Sequence, residues 1–110
     1  MSRINSRAKG ARAERAFALW LKEEGWHAKR GVQHAGQDAP DVICPDLSWL
    51  HFEVKHVQAL NIIDAMSQAK RDAGAKVPVV AHRKNGTPWL ITLPADEFAK
   101  FLRGDLPPEK

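Results

Sequence analysis

The sequence predicts a mixed α/β fold in which helices flank a central five-stranded sheet. Two kinds of segment support this prediction. Three segments carry apolar residues at the spacing of an amphipathic helix, and five short segments show the apolar alternation and bounding turn residues of strands. Their order along the chain is helix, three strands, helix, two strands, helix. Elements in this order pack as helices on a sheet around a shared core.

The length and composition predict one folded domain. The chain has 110 residues, of which 44% are hydrophobic and four are tryptophan. We expect a single domain over 1–110, with a basic arm at 1–7 and a tail at 104–110. Cys44 is the single cysteine, which excludes an internal disulfide, and no Cys/His spacing is typical of a zinc site. Without a signal pattern or a membrane-length apolar run, we expect a cytosolic protein.

The charge balance indicates one class of partner. Seventeen Lys and Arg residues exceed thirteen Asp and Glu residues, which gives a net charge of +4. Nucleic acid is the commonest polyanion that such an excess favours, although a basic solvated surface explains the charge equally well.

The first helix, predicted at about 8–24, carries a carboxylate on its apolar face. The inward stripe at helical spacing comprises Gly10, Ala11, Glu14, Phe17, Ala18 and Leu21. Because a carboxylate buried without a partner is costly, Glu14 needs one. An ion pair with a nearby arginine and a role in the chemistry of a site are both open explanations.

Three strands follow, predicted at about 26–30, 40–44 and 50–56, and the last two form an antiparallel hairpin. Alternation in the third strand predicts a packed apolar face and an opposite face that carries charge. The packed face holds Leu50, Phe52 and Val54. The charged face holds His51, Glu53 and Lys55.

The hairpin is expected to place Asp41 beside Glu53. Two neighbouring carboxylates repel each other unless a cation lies between them, and oxygen ligands suit Mg²⁺ or Mn²⁺. Lys55 faces the same way and can position a water molecule for attack on a phosphodiester. The alternative is a solvated strand with an ordinary Glu-Lys pair and an unrelated turn aspartate.

The second half of the chain completes the predicted fold. A helix at about 61–73 begins at an Asn61 N-cap, and its polar positions include Gln68, Lys70 and Arg71. Strands at 77–82 and 88–93 flank Asn85-Gly86, a pair typical of a type I′ turn. The last helix is predicted at about 94–103.

The order of these motifs resembles the PD-D/E-x-K nuclease superfamily. The shared features are a helix with a glutamate, then Pro40-Asp41, then Glu53-Val54-Lys55, then a helix with a glutamine. More narrowly, the chain is similar to the archaeal Holliday junction resolvases and their small phage relatives over about 7–73. That similarity rests on Arg7-Ala8-Lys9-Gly10, Glu14-Arg15, Gly25-Trp26, Arg30, Pro40-Asp41-Val42-Ile43 and Glu53-Val54-Lys55. The resemblance implies a restriction-endonuclease-like fold.

The resemblance also implies roles for single residues. Asp41, Glu53 and the backbone carbonyl of Val54 would bind the metal ion, and Glu14 would reach it directly or through water. Lys55 would orient the nucleophilic water, and Gln68 matches the family's glutamine on the following helix.

The expected function is a Mg²⁺- or Mn²⁺-dependent endonuclease that acts as a homodimer on branched DNA such as Holliday junctions. Phosphate contacts are expected from the basic arm and other cations. The expected DNA-binding residues are Arg7, Lys9, Arg30, His34, Lys70 and Arg71. Two alternatives stay open: a nuclease for linear, flap or other DNA, and a catalytically inactive DNA-binding module with the same fold.

Overall fold

A computed structural model describes residues 6–31 and 39–108, with side chains from residue 9 onward. Three helices and five strands occur in the predicted order. They are α1 (Ser6–Glu23), β1 (Lys29–Arg30), β2 (Val42–Ile43), β3 (Leu50–His56), α2 (Ile62–Ala73), β4 (Val77–Arg83), β5 (Leu90–Thr92) and α3 (Ala95–Arg103), with a short 3-10 helix at Pro45–Leu47 between β2 and β3. The predicted mixed α/β fold is confirmed.

The five strands form one sheet in the order β1-β2-β3-β4-β5. β1 pairs antiparallel with β2, and β2 pairs antiparallel with β3, as the predicted hairpin requires. β3 and β4 are parallel and are connected through α2, whereas β4 and β5 are antiparallel. The sheet is therefore mixed, with β3 at its centre.

Helices cover both faces of the central strands. On one face, α1 packs on β1, β2 and β3, and Phe17 meets Phe52 at 5.5 Å between ring centroids. On the other face, α2 packs on β3 and β4, with Ala65 and Ala69 against Val80. Polar and apolar residues of β3 thus both lie under helices.

The charged face of β3 is not solvated, so the alternative of a surface strand with an ordinary Glu-Lys pair is wrong. His51 and Glu53 are 2% and 3% exposed, and only Lys55 on that face stays half-buried. The alternation in the sequence is typical of an antiparallel strand with one wet face, but β3 is a central strand that runs parallel to β4 under α2. The Glu53 carboxyl group is therefore in the interior.

Several predicted element boundaries differ from the observed ones. α1 begins at Ser6, so the predicted arm at 1–7 overlaps the helix. β1 and β5 are shorter than predicted, and 84–89 connects β4 to β5. The type I′ turn is wrong, because in the described chain only glycines, among them Gly86, have positive φ, and that turn needs it at Asn85 as well. No described helix has the length and hydropathy to cross a membrane.

Candidate active site

The backbone and side chain of Asp41 are fixed by two neighbouring segments. Its N–H donates to the carbonyl of Phe52 at 2.9 Å, and its carbonyl accepts from the N–H of Gly31 at 2.8 Å. Its Oδ2 accepts from the N–H of Val54 at 2.9 Å. The carboxyl group of Asp41 consequently lies against β3, beside Glu53.

Gly31 is needed for this arrangement. A Cβ atom built at position 31 would clash with the backbone carbonyl oxygen of Pro40 and approach the carbonyl group of Asp41. Because those atoms belong to the main chain, they cannot move aside as a flexible side chain would. The absence of a side chain at Gly31 lets the end of β1 pass close to the start of β2.

Glu53 is held by a histidine on the same strand. The Nε2 atom of His51 lies 2.9 Å from Oε1 of Glu53, and both side chains are buried. Residues two apart on a strand face the same way, so the contact follows from the strand itself. His51 therefore fixes the orientation of Glu53 in the interior.

The two carboxyl groups are hydrogen-bonded to each other and have opposite pKa shifts. Burial, together with the charge and hydrogen bond of Glu53, raises the pKa of Asp41 to about 7 despite the opposing bond from Val54 N–H. Burial also acts to raise the pKa of Glu53, but hydrogen bonds from His51 and Asp41 outweigh it and lower that pKa. In the metal-free protein the pair thus takes up a proton, mainly on Asp41, as the pH falls below about 7.

Glu14 lies at this pair and also has a cationic partner. Its Oε1 accepts from Nε of Arg30 at 2.7 Å, and its negative charge helps to raise the pKa of Asp41. The ion pair expected as one explanation for a buried carboxylate is therefore present. A role for Glu14 in the chemistry of the site is compatible with this ion pair, because Glu14 also lines an open cleft together with Asp41 and Glu53.

An open cleft of about 520 Å³ brings the sequence-predicted residues together. Those that line it are Lys9, Glu14, Asp41, Glu53, Lys55 and Gln68. The Nζ atom of Lys55 is 3.5 Å from Oε1 of Gln68, at the limit of a hydrogen bond, so α2 and β3 share this wall. A cation and an amide therefore stand beside the carboxyl pair.

Other residues predicted to bind DNA do not line this cleft, although Arg30 contacts Glu14 at its edge. Arg30 is engaged by Glu14, while Lys70 and Arg71 are exposed on α2, and Lys70 borders a separate cavity near the start of α3. His34 and the side chain of Arg7 are outside the described residues. The cleft and the cations of α2 are thus separate surfaces.

Asp72 is a neighbour of the site that the sequence did not reveal. Ligand atoms of His51, Glu53 and Asp72 lie within 4.8 Å of one another. Asp72 follows Gln68 by four residues on α2, and residues at this spacing share a helix face. That spacing was the signal that could have identified it.

A basic cavity adjoins the cleft at Val57, which lines both. This second cavity has a volume of about 530 Å³, and its lining includes His82, Arg83 and Lys84. The guanidinium group of Arg83 stacks on Trp89 at 4.3 Å from the ring centroid, which fixes a cation in place. The end of β4 and Lys84 thus place positive charge in a cavity that adjoins the cleft.

The donor set fits a hard divalent cation. Oxygen atoms of Asp41 and Glu53 converge, with Glu14 nearby, and carboxylates are preferred ligands of Mg²⁺ and Mn²⁺. Burial raises the pKa of Asp41, and the negative charges of Glu53 and Glu14 raise it further; a bound cation would neutralise those charges. His51 contributes a nitrogen to the adjoining cluster, but its Nε2 is already bonded to Glu53.

Comparison with known proteins identifies one family. The family model for archaeal Holliday junction resolvase (Hjc) matches residues 5–105. A search of curated proteins finds no significant match. Among solved structures, Archaeoglobus fulgidus Hjc, a Holliday junction resolvase from an archaeal hyperthermophile, is similar with a TM-score of 0.53 and 26% identity, over 77% of this chain and 72% of that one. The chain therefore belongs to the archaeal Holliday junction resolvase family, whose members are nucleases that act on branched DNA.

Proposed function

We propose that the chain is a divalent-metal-dependent endonuclease that hydrolyses DNA phosphodiester bonds at branch points such as Holliday junctions. One observation carries the proposal: the hydrogen-bonded carboxyl groups of Asp41 and Glu53 lie in an open cleft beside the Lys55 ammonium group. Family membership supports the substrate class. We treat residues 1–110 as a single nuclease domain.

Asp41 and Glu53 would hold the ion, which we propose to be Mg²⁺ or Mn²⁺, with Glu14 close enough to contribute directly or through water. A bound divalent ion would neutralise charge on the scissile phosphate and lower the pKa of a water molecule. Asp41 has to lose its proton to act as a ligand, whereas Glu53 is kept anionic by His51. The two carboxylates therefore contribute differently to ion binding.

Lys55 and Gln68 act on the substrate side of the cleft. The Lys55 ammonium group offsets the negative charge that develops on the phosphate, and it can orient the attacking water by donating a hydrogen bond. Gln68 accepts from Lys55 and so limits where its flexible side chain can lie. We infer that removal of Lys55 lowers the cleavage rate more than DNA affinity.

DNA binding would use cations along the cleft and the adjoining cavity. Lys9 lines the cleft, and Arg83 and Lys84 line the cavity beyond Val57, so positive charge continues from one to the other. Contacts by Arg7, Arg30, His34, Lys70 and Arg71 stay predictions. Because each neutralised phosphate releases counterions, we expect junction affinity to fall steeply with salt.

We propose that the nuclease acts as a homodimer in the cytosol. Each chain supplies one set of carboxylates, and two chains related by a two-fold axis would place two such sets on a junction. Symmetric nicking of two strands requires this arrangement.

The test of substrate class is cleavage of a labelled four-way junction beside a flap and a linear duplex of matched sequence. Each substrate is incubated with Mg²⁺, with Mn²⁺ and with a chelator. We expect paired nicks in the junction, no cutting of the duplex and no activity in chelator. Equal cutting of all substrates would replace the junction preference with a general nuclease, and salt-sensitive binding without cutting would indicate an inactive DNA-binding module.

A further inference from the structure

We propose that His51, Glu53 and Asp72 form a second metal site, which takes a transition-metal ion such as Zn²⁺ or Co²⁺ and inhibits the nuclease when it is occupied. One ligand atom from each of these side chains lies within 4.8 Å of the other two. The site itself is inferred from the positions of the three residues, whereas its effect on cleavage rests on the proposed function. Glu53 belongs to both metal sites, and this sharing is the basis of the inhibition.

Two packed elements of the fold bring the three side chains together. His51 and Glu53 are two residues apart on β3, so they face the same way, toward α2. Asp72 lies in the last turn of α2. The chain then enters β4, whose first residue, Val77, pairs with Leu50 at the start of β3. The end of α2 consequently lies over the start of β3, where His51 is.

The distances suit ligands of a single ion. Nε2 of His51 and Oε1 of Glu53 are 2.9 Å apart. Two ligands that each lie about 2.1 Å from a metal ion are separated by about 3 Å at a right angle and by about 3.4 Å at a tetrahedral angle. An ion could therefore take the place of the hydrogen that this pair shares. Asp72 is half-buried, so its carboxylate has room to rotate toward the pair.

The donor set distinguishes this site from the carboxyl pair in the cleft. An imidazole nitrogen with two carboxylates suits Zn²⁺ or Co²⁺, and sites with nitrogen ligands bind these ions more tightly than Mn²⁺. Three protein ligands also leave a position for water, as in open zinc sites. The cleft instead offers the carboxylate oxygens of Asp41, Glu53 and Glu14, which suit Mg²⁺ or Mn²⁺. The two sites are thus expected to select different ions.

Glu53 connects the two sites. Its carboxyl group is hydrogen-bonded to His51 and to Asp41. An ion held by His51 and Glu53 would withdraw negative charge from this carboxylate and so weaken its bond to a Mg²⁺ or Mn²⁺ ion in the cleft. Two divalent cations a few ångströms apart also repel each other strongly in a buried site. Occupation of the second site should therefore lower the affinity of the cleft for its ion.

The first experiment is a Co²⁺ titration of the metal-free chain without DNA, because the visible absorption of Co²⁺ changes when protein ligands replace water. We expect a saturable change that Zn²⁺ reverses. Asp72→Asn and His51→Gln should each lower the Co²⁺ affinity at least about tenfold, since the loss of a ligand costs no less than the loss of a residue bonded to one. Asp64→Asn, another carboxylate on α2, is the control and should bind like the wild type.

Two variants locate the ion. His51→Gln keeps a hydrogen-bond donor for Glu53 but has no imidazole, so it should keep most of its Mn²⁺ affinity while losing that for Co²⁺. Asp41→Asn lacks a ligand of the cleft and should keep the Co²⁺ absorption. Equal Co²⁺ affinity in Asp72→Asn and the wild type, or loss of the absorption in Asp41→Asn, would overturn the second site.

The second experiment adds Zn²⁺ to cleavage of a labelled four-way junction in Mn²⁺. Without Zn²⁺, Asp72→Asn and the wild type should cleave at the same rate. With Zn²⁺, we expect the wild type to be inhibited and Asp72→Asn to need at least about tenfold more Zn²⁺ for the same inhibition. Equal sensitivity would place the inhibitory ion at Asp41 and Glu53 and would overturn the proposed inhibition through Asp72.

These experiments separate the second site from the nuclease. A chain that binds Co²⁺ through His51 and Asp72 but cleaves no DNA in Mn²⁺ would reject only the proposed function. A chain that cleaves junctions, but whose Co²⁺ affinity is the same with and without these two side chains, would reject only the second site.

Discussion

The carboxyl groups of Asp41 and Glu53 differ in the charge that they carry. Their sequence positions are consistent with two equivalent ligands, but His51 stabilises the anion of Glu53, whereas burial and the neighbouring charge favour the protonated form of Asp41. A metal site built this way has one permanent anion and one that forms when the ion binds. The asymmetry predicts pH-dependent behaviour of the metal-free protein.

The stability of the metal-free protein is expected to fall as the pH rises from about 4 to about 7. In the unfolded chain Asp41 titrates near 3.8, while the fold raises its pKa to about 7, so within this window the unfolded state loses a proton that the folded state keeps. The loss is at most about 4 kcal/mol, at about 1.4 kcal/mol per pH unit. Glu53, whose pKa is lowered from 4.5, has the opposite effect, which overlaps only the acidic end of this window and is nearly complete once the pH is well above 4.5.

Thermal melting in chelator between pH 5 and pH 8 measures this effect. Asp41→Asn lacks the titrating group, so its stability relative to the wild type should improve with rising pH. Saturating Mn²⁺ should remove the difference by stabilising the ionised wild type. If the melting temperatures of the wild type and Asp41→Asn changed with pH in the same way, the raised pKa of Asp41 would be contradicted.

His51 is expected to act as a positioning residue for Glu53. His51→Ala leaves the buried carboxylate of Glu53 without its hydrogen-bond donor. We expect the Mn²⁺ affinity to fall by about ten- to a hundredfold, as it does when other residues that hydrogen-bond to metal ligands are removed. His51→Gln retains a donor and should restore most of that affinity. His82→Gln, another strand histidine bonded to Thr92, is the control. Equal Mn²⁺ affinity in His51→Ala and the wild type would exclude the role.

Some residues of the site were predicted from the sequence, whereas one of its contacts was not. Glu14 was found because a carboxylate on an apolar helix stripe is conspicuous, and Asp41 and Glu53 because two adjacent strands carry them. The bond between His51 and Glu53 was not predicted, since the same alternation suits a strand face in water. Only the covering of that face by α2 makes the contact an interior one.

At the scale of elements, the approach of β1 to β2 determines where Asp41 lies. The N–H of Gly31 binds the carbonyl of Asp41, and the carbonyl of Pro40 occupies the space that a Cβ at Gly31 would need. β1 and β2 are only two residues each, so few other bonds hold this pair in register. A single glycine therefore controls the position of a proposed metal ligand.

Gly31→Ala is expected to lower both stability and activity. Relieving the clash requires a main-chain shift, which costs about 1–3 kcal/mol of unfolding free energy by analogy with overpacked sites. The same shift moves Asp41 and should lower Mn²⁺ affinity. Gly10→Ala is the control, because a Cβ there meets no described atom within 4 Å and alanine favours the α1 helix by about 0.5–1 kcal/mol. Chemical denaturation measures the free energy of unfolding, and a Mn²⁺ titration measures the affinity for the ion. If neither quantity changed in Gly31→Ala, the clash with the carbonyl of Pro40 would be contradicted.

The order of elements was predictable, and so were the ends of β3, α2 and α3 to within one residue, whereas the ends of α1, β1 and β5 were not. Periodicity identified each helix and strand, and the short connection between β2 and β3 indicated their antiparallel hairpin. The lengths of β1 and β5 depend on which residues find hydrogen-bonding partners across the sheet. Local sequence does not encode those partners, as the wrong turn type at Asn85 also shows.

At the scale of the whole molecule, two helices from distant parts of the sequence complete one cleft. α1 contributes Glu14 and α2 contributes Gln68, and they reach the carboxyl pair because both helices pack on β3. The family resemblance predicted this convergence, while the sequence pattern alone did not. The parallel pairing of β3 with β4 and the exposed face of α3 became evident only in the assembled sheet.

The central claim is that Asp41 and Glu53 together form a metal centre that cleaves branched DNA. The most direct measurement compares wild type, Asp41→Asn and Glu53→Gln for cleavage of a labelled four-way junction in Mn²⁺, with junction affinity measured in chelator. We expect both variants to bind the junction like the wild type and to cleave it at least about a hundredfold more slowly. Removing a metal ligand should lower the activity at least as much as removing a residue that only hydrogen-bonds to such a ligand. Normal cleavage by both variants would contradict the account.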